Sequence, residues 1–254
     1  MICTAVISTP AAKLPLIFIP GWNIRAEIFR PFAAYFSAYK LYYFTPPRSA
    51  EGDAYAQAVA ALGAYIKEQA ITRPLLLGWS MGGQLALLAA RTFPVAAVVL
   101  VSSAAVFSRR AAEKKSFAAA CARDFPRAVS HFQSLMGGDP ALLQKYFIQD
   151  QASALNYLRS LHESDLSDTA RQGAYTLGIV HARGDKVIPF GAAAELRRLR
   201  PDAKLLALDG NFHFPFAACC DKIICLLERV VRGWCDEKIQ IKRCSRTQSV
   251  RKLF

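Results

Sequence analysis

The chain has 254 residues, 53% of them hydrophobic and 20% charged, a balance that allows one sizeable buried core and excludes a disordered or fibrous chain. Its formal net charge of +13 draws polyanions and acidic proteins. No zinc pattern, recognition motif or row of interleaved aromatic and basic residues accompanies that charge, which argues against nucleic acid and leaves an acidic protein partner open.

Residues 1–9 alternate enough for an edge strand, and the apolar run 14–19 reads as a strand buried on both faces, stopping at Pro20-Gly21-Trp22-Asn23. No basic, apolar and small-residue leader pattern opens the chain, so residues 1–20 read as mature sequence and a cytoplasmic location is expected. Helical spacing of Ile28, Phe29, Phe32, Ala33 and Phe36 predicts a helix over 26–39, and 40–45 returns to a strand before the breaker Pro46-Pro47. Asp53 can cap a helix over 54–69.

The aliphatic residues Leu75, Leu76 and Leu77 end in Gly78-Trp79-Ser80-Met81-Gly82, and a helix-forming segment follows. Strand, tight turn and helix is the pattern of a nucleophile elbow, in which flanking glycines remove Cβ atoms that would clash while the turn forces a serine into a strained conformation. A Gly-rich strand-to-helix turn without chemistry is the competing reading. A membrane span is excluded, because the run is glycine-rich and shorter than the about 20 apolar residues a spanning helix needs. Residues 95–101 form another buried strand, ending at Ser102-Ser103.

Between residues 104 and 171 the strand signal gives way to helix formers broken at Pro126, Gly137-Gly138 and Pro140. This is a helical insertion between two parts of an α/β core, 1–103 and 172–235. Arg109, Arg110, Lys114, Lys115, Arg123 and Arg127 outnumber Glu113 and Asp124 there, while Phe107, Phe117, Phe125, Phe132, Leu135 and Met136 supply apolar surface. The sheet resumes at 177–182, followed by Arg183-Gly184-Asp185-Lys186-Val187-Ile188-Pro189, a short helix over 191–199, a last strand at 204–208 and a closing helix over 216–234. Residues 236–254 form a basic tail, read as mobile. Strands alternating with helices predict a mostly parallel sheet with helices on both faces. The seven cysteines are odd in number and lack metal-ligand spacing, so they read as reduced packing residues, with no metal or cofactor expected.

An elbow serine needs a base to take its proton, and the base needs an acid to fix its tautomer. Ser80, Asp185 and His213 supply those types in the order Ser, acid, His, each after a different predicted strand, where open α/β sheets place their sites. His131 and His162 lie in the insertion, and His181 sits inside a strand, where a satisfied core histidine is the better reading. Asp209 competes with Asp185, but it stands only four residues from His213 and suits a turn or cap. The amides of Met81 and Trp22 fit an oxyanion hole, one after the nucleophile and one in the loop of an early strand. For Trp22 the amide counts for more than the ring. The ring of Trp79 is left between lining an acyl pocket and packing.

With elbow and ordered triad in place, residues 14–234 resemble the α/β-hydrolases. Within them GWSMGG, PGWNIRAEIFRPF, FPRAVSHFQSLMGG, LHESDLSD, GDKVIP and NFHFPF are most similar to the pimeloyl-carrier-protein methyl ester esterases of biotin synthesis. The resemblance implies a serine esterase that hydrolyses a methyl ester on a pimeloyl chain borne by acyl carrier protein. It also implies that Arg109, Arg110, Lys114, Lys115 and Arg127 grip the acidic carrier, and that Trp22 and Phe132 meet the substrate. Two departures stand out: Pro20-Gly21 replaces the usual His-Gly, and 46–52 lacks the usual Gly-x-Gly-x-Ser turn. A general carboxylesterase, thioesterase or acyltransferase with the same triad is the alternative, and a non-catalytic carrier or membrane-surface binding module is the alternative of another class.

Overall fold

The computed structural model describes residues 13–107 and 111–232, with 111–115 described as helix backbone only. The edge strand expected at 1–9 and the basic tail 236–254 lie outside the described residues. Six strands, β1 (Pro15–Ile19), β2 (Lys40–Tyr43), β3 (Leu75–Trp79), β4 (Ala97–Val101), β5 (Thr176–Ala182) and β6 (Lys204–Leu208), form one sheet in the order β2-β1-β3-β4-β5-β6. Every pairing is parallel. Strands β3 and β4 are buried along their whole length, and the absence of any polar side chain in either suits a sheet covered on both faces.

On one face lie α1 (Ala54–Glu68), α2 (Met81–Thr92), α7 (Ser167–Gln172) and α8 (Gly191–Leu199); on the other lie a 3-10 helix (Ala26–Phe36) and α9 (Phe216–Arg232). Asp53 caps α1 as expected, its carboxylate accepting from the amides of Tyr55 at 2.9 Å and Ala56 at 3.0 Å. The segment expected as an α-helix over 26–39 is instead the 3-10 helix, ending at Phe36. Pro31 inside it has no amide to give an α-type ladder, and its ring crowds the preceding turn. The spacing of apolar residues still buries Ile28, Phe29 and Phe36, with Phe18 stacked on Phe29 at 4.8 Å.

The insertion carries α3 (Ala111–Arg123), α4 (Phe125–Met136), α5 (Pro140–Tyr146) and α6 (Gln151–Glu163), which pack on one another and reach the core through α5 against the 3-10 helix and α6 against α1. Its last helix, α7, packs instead on α2 and α8 of the core face. Strand order reverses between β1 and β3: the chain starts at β1, moves outward to β2, then crosses back to β3 and continues to β6. Ligand sites of such sheets open outside the carboxyl ends of the strands at that reversal. The turns after β1 and β3 hold Trp22 and Ser80.

Candidate active site

Ser80 joins β3 to α2 with φ 53° and ψ −121°, angles that a side chain bearing a Cβ rarely adopts. Strain of this kind costs on the order of 1–3 kcal/mol and persists only where the surroundings impose it. Here they do. A Cβ on Gly78 would stand 2.3 Å from the Gly82 carbonyl oxygen, one on Gly82 would stand 2.3 Å from that of Ile19, and one on Gly83 would stand 2.3 Å from Ser103 Oγ. The backbone is pinned as well: Ser80 N donates to Val101 O at 2.9 Å, while Ser80 O accepts from Gly83 N at 2.9 Å and Ser103 Oγ at 2.7 Å.

Asp185 follows β5. Its Oδ1 accepts from the amides of Val187 at 2.8 Å and Ile188 at 3.0 Å, and its Oδ2 lies 2.8 Å from His213 Nδ1, with both side chains wholly buried. Burial alone would raise the Asp185 pKa. The facing imidazole, its hydrogen bond and the two amides outweigh burial and hold the carboxyl below the usual carboxylate range. A carboxylate there makes Nδ1 the protonated nitrogen of a neutral His213 and leaves Nε2 as the acceptor. That Nε2 is buried with no hydrogen-bond partner among the described residues. The backbone of His213 is clamped from two sides, its amide donating to Met136 O at 2.6 Å and its carbonyl accepting from Trp79 Nε1 at 2.8 Å.

The other sequence-derived residues fall as follows. Met81 opens α2 directly behind Ser80 and is buried. A Cβ on Gly21 would lie 3.3 Å from Ser80 Cβ, so the Gly21-Trp22 turn runs against the elbow, and Gly21 and Met81 share the wall of a cavity of about 30 Å³. The ring of Trp22 has a larger part than its amide-centred reading gave it. Its Nε1 donates to Ala154 O of α6 at 2.8 Å, and Phe117, Phe125 and Phe132 meet it edge-on at 5.5, 6.4 and 5.4 Å. Phe132 thus belongs to the apolar seam between insertion and core. Arg127 is solvent-exposed on the first turn of α4, whereas Arg109 and Arg110 and the side chains of Lys114 and Lys115 lie outside the described residues. Trp79 has no exposed surface, packs on Phe214 at 4.8 Å and holds the histidine loop through its indole N–H. Asp209 is almost wholly exposed beside Arg183, away from the buried position an orienting acid occupies.

Ser103 and the Met136 carbonyl hold the site in shape and were not singled out from the sequence, and the Trp79 indole adds a bond to the histidine loop that neither of its two sequence readings included. Ser102-Ser103 at a strand end and a third glycine, Gly83, were the available signals. The whole arrangement can move a proton through His213, keep a negative charge buried at Asp185 and present a strained hydroxyl at a helix N-terminus, where a developing anion is favoured. Among the described residues no cluster of His, Cys, Asp and Glu is set to hold a metal ion, and no helix is long and apolar enough to cross a membrane.

Residues 16–222 match the family model of the alpha/beta hydrolase family, and the chain belongs to that family. It is 25% identical over 232 residues to the pimeloyl-[acyl-carrier protein] methyl ester esterase of Nitrosomonas europaea, covering 82% of this chain and 92% of the relative. To the enzyme of the same name from Edwardsiella ictaluri it is 28% identical over 230 residues, covering 81% and 88%. An esterase from Exiguobacterium antarcticum shares the fold with a TM-score of 0.75 at 19% identity, covering 87% of this chain and 92% of that one.

Proposed function

We propose that this α/β-hydrolase is a serine carboxylesterase that hydrolyses the methyl ester of a pimeloyl-type chain carried by acyl carrier protein. The observation that carries the reading is the buried 2.8 Å pair of Asp185 and His213 at the same end of the sheet as a strained elbow serine. In the proposed reaction His213 Nε2 takes the Ser80 proton as Oγ bonds to the ester carbonyl carbon, and the amides of Met81 and Trp22 hold the oxyanion. Collapse breaks the bond to the alkoxy oxygen, which leaves as methanol with the proton from His213. A water, deprotonated by the same nitrogen, then releases the free carboxylate and restores Ser80. Asp185 keeps the imidazole oriented and stabilises its protonated form.

The carrier, a cytoplasmic setting and a basic docking face formed by Arg109, Arg110, Lys114, Lys115 and Arg127 belong to the same reading, supported by the names of the relatives and by the composition of the insertion. Ser80 is 5% exposed and His213 fully buried, so an acyl chain reaches them only when neighbouring side chains move. Incubation with methyl-pimeloyl carrier protein tests the reading, scored by mass as loss of the methyl group from the carrier-bound chain. Demethylation that stops in Ser80→Ala is the expected result. Cleavage of free short esters without any action on the carrier-borne ester would turn the reading to a general esterase, thioesterase or acyltransferase, and no turnover of either to a binding module.

A further inference from the structure

His181 lies in β5, four residues before Asp185 and wholly buried, and the mechanism above leaves it unused. It is not the fully satisfied core histidine its position in a strand predicts. Nε2 stands 2.8 Å from Ile188 O and 3.5 Å from Asp185 Oδ2, whereas Nδ1 is buried without a hydrogen-bond partner among the described residues. The tautomer follows from these contacts. With the proton on Nδ1, a buried N–H is orphaned and the Nε2 lone pair faces a carbonyl oxygen, while a buried unmet donor costs about 1–3 kcal/mol. With the proton on Nε2, the ring donates to Ile188 O and turns its positive edge toward Oδ2.

Ile188 is the hinge of the arrangement, because its carbonyl accepts from His181 while its amide donates to Asp185 Oδ1 at 3.0 Å. We infer that His181 is a positioning residue: as a neutral, Nε2-protonated imidazole it ties down the turn 185–188, so that the turn's amides hold Oδ1 and Oδ2 is aimed at His213 Nδ1. The titratable groups facing it are Asp185 and His213. Arg183 is stacked at 5.1 Å on the ring of Phe190, which in turn packs on His181. Burial lowers the His181 pKa by more than Ile188 O and Asp185 raise it, which agrees with a ring that stays neutral.

The inference rests on the proposed roles of Asp185 and His213, and the experiment separates the two. Activity against pH on a short p-nitrophenyl ester is measured for the parent, His181→Leu, His181→Gln and His213→Ala. Outer partners that orient metal-binding side chains cost about 10–100-fold when removed, and a partner that orients a catalytic carboxylate through one turn is set on the same scale. His181→Leu, close in volume but without a donor, is therefore expected to lower kcat by about that factor and to displace the acid limb of the profile, with KM little changed. His181→Gln, whose amide reaches the Nε2 position, is expected to recover most of kcat and the parental limb. A folded His181→Leu with parental kcat and limb overturns the inference, as does a His181→Gln that loses as much as leucine. An active His213→Ala overturns the proposed function and this inference together. Should the variants fail to fold, imidazole ¹⁵N spectra of the parent decide: His181 is expected as the neutral Nε2–H tautomer at about pH 7.5. An Nδ1–H tautomer there contradicts it.

Discussion

At Ser80 the backbone conformation is imposed by neighbours that tolerate no extra carbon. A Cβ on Gly82 would meet two backbone carbonyl oxygens, Ile19 O at 2.3 Å and Pro20 O at 2.5 Å, and neither can rotate away. Gly82→Ala is therefore expected to lose at least about 3 kcal/mol in urea unfolding, the upper end of overpacking costs; a loss under about 1 kcal/mol would show that the elbow is not held by this contact. His181 makes a second expectation, with its sign fixed by linkage. Its pKa is lower in the folded chain than the ordinary 6.5, so the unfolded chain binds more protons between the folded value and 6.5. Stability should fall as pH drops below about 6.5, and the fall should be shallower in His181→Gln than in the parent. Equal slopes would mean that His181 is not held neutral. Asp185 acts in the other window: its lowered pKa gives stability that is present above the ordinary carboxylate value and lost as pH falls through the folded one. The elbow at Ser80 and the pairing of Asp185 with His213 were legible in the sequence, because the residue types suit acyl transfer and their order suits a parallel sheet with sites at its strand ends. The bond from His181 to Ile188 was not, since no local pattern tells what a buried strand side chain faces across a turn.

Between elements, Trp22 joins insertion to core through its bond to Ala154 O and three edge-on phenylalanines. Trp22→Phe keeps most of the aromatic contact and removes the indole donor, so the Ala154 carbonyl keeps its helix bond and loses its partner in the core. Amide exchange in α6 should then speed up by about 1–2 kcal/mol of protection while α9 is unchanged, because a lost buried hydrogen bond costs about that much. Unaltered protection in α6 would place the anchor elsewhere. Helix spacing and caps made α1, α8 and the boundaries of β3 legible. They did not reveal that 26–36 winds as a 3-10 helix, since apolar residues three and four apart suit either helix, and only Pro31 hinted at the difference. Nor did composition show α7 leaving the insertion for the core, because that depends on α2 and α8 being close in space.

For the whole molecule, six parallel strands with one reversal of order bring the Trp22 and Ser80 turns side by side, and later strands add Asp185 and His213 at the same end. The doubly wound class was legible from aliphatic runs alternating with helices; the strand order was not, because parallel strands of this kind are interchangeable in pattern. The +13 charge is a property of the same scale. Reversing Arg109, Arg110, Lys114 and Lys115 to glutamate is expected to raise KM for a carrier-borne ester by about tenfold or more and to leave a free ester nearly unchanged, as charges that steer a partner do. Equal effects on both would reduce that charge to a solvated face. The central claim, that Ser80 is a nucleophile served by His213, is met most directly by labelling with a fluorophosphonate followed by intact mass and peptide mapping. The account predicts one adduct, on Ser80, absent in Ser80→Ala and slowed by orders of magnitude in His213→Ala. An unlabelled yet active parent, or a Ser80→Ala variant that still hydrolyses esters, would contradict it.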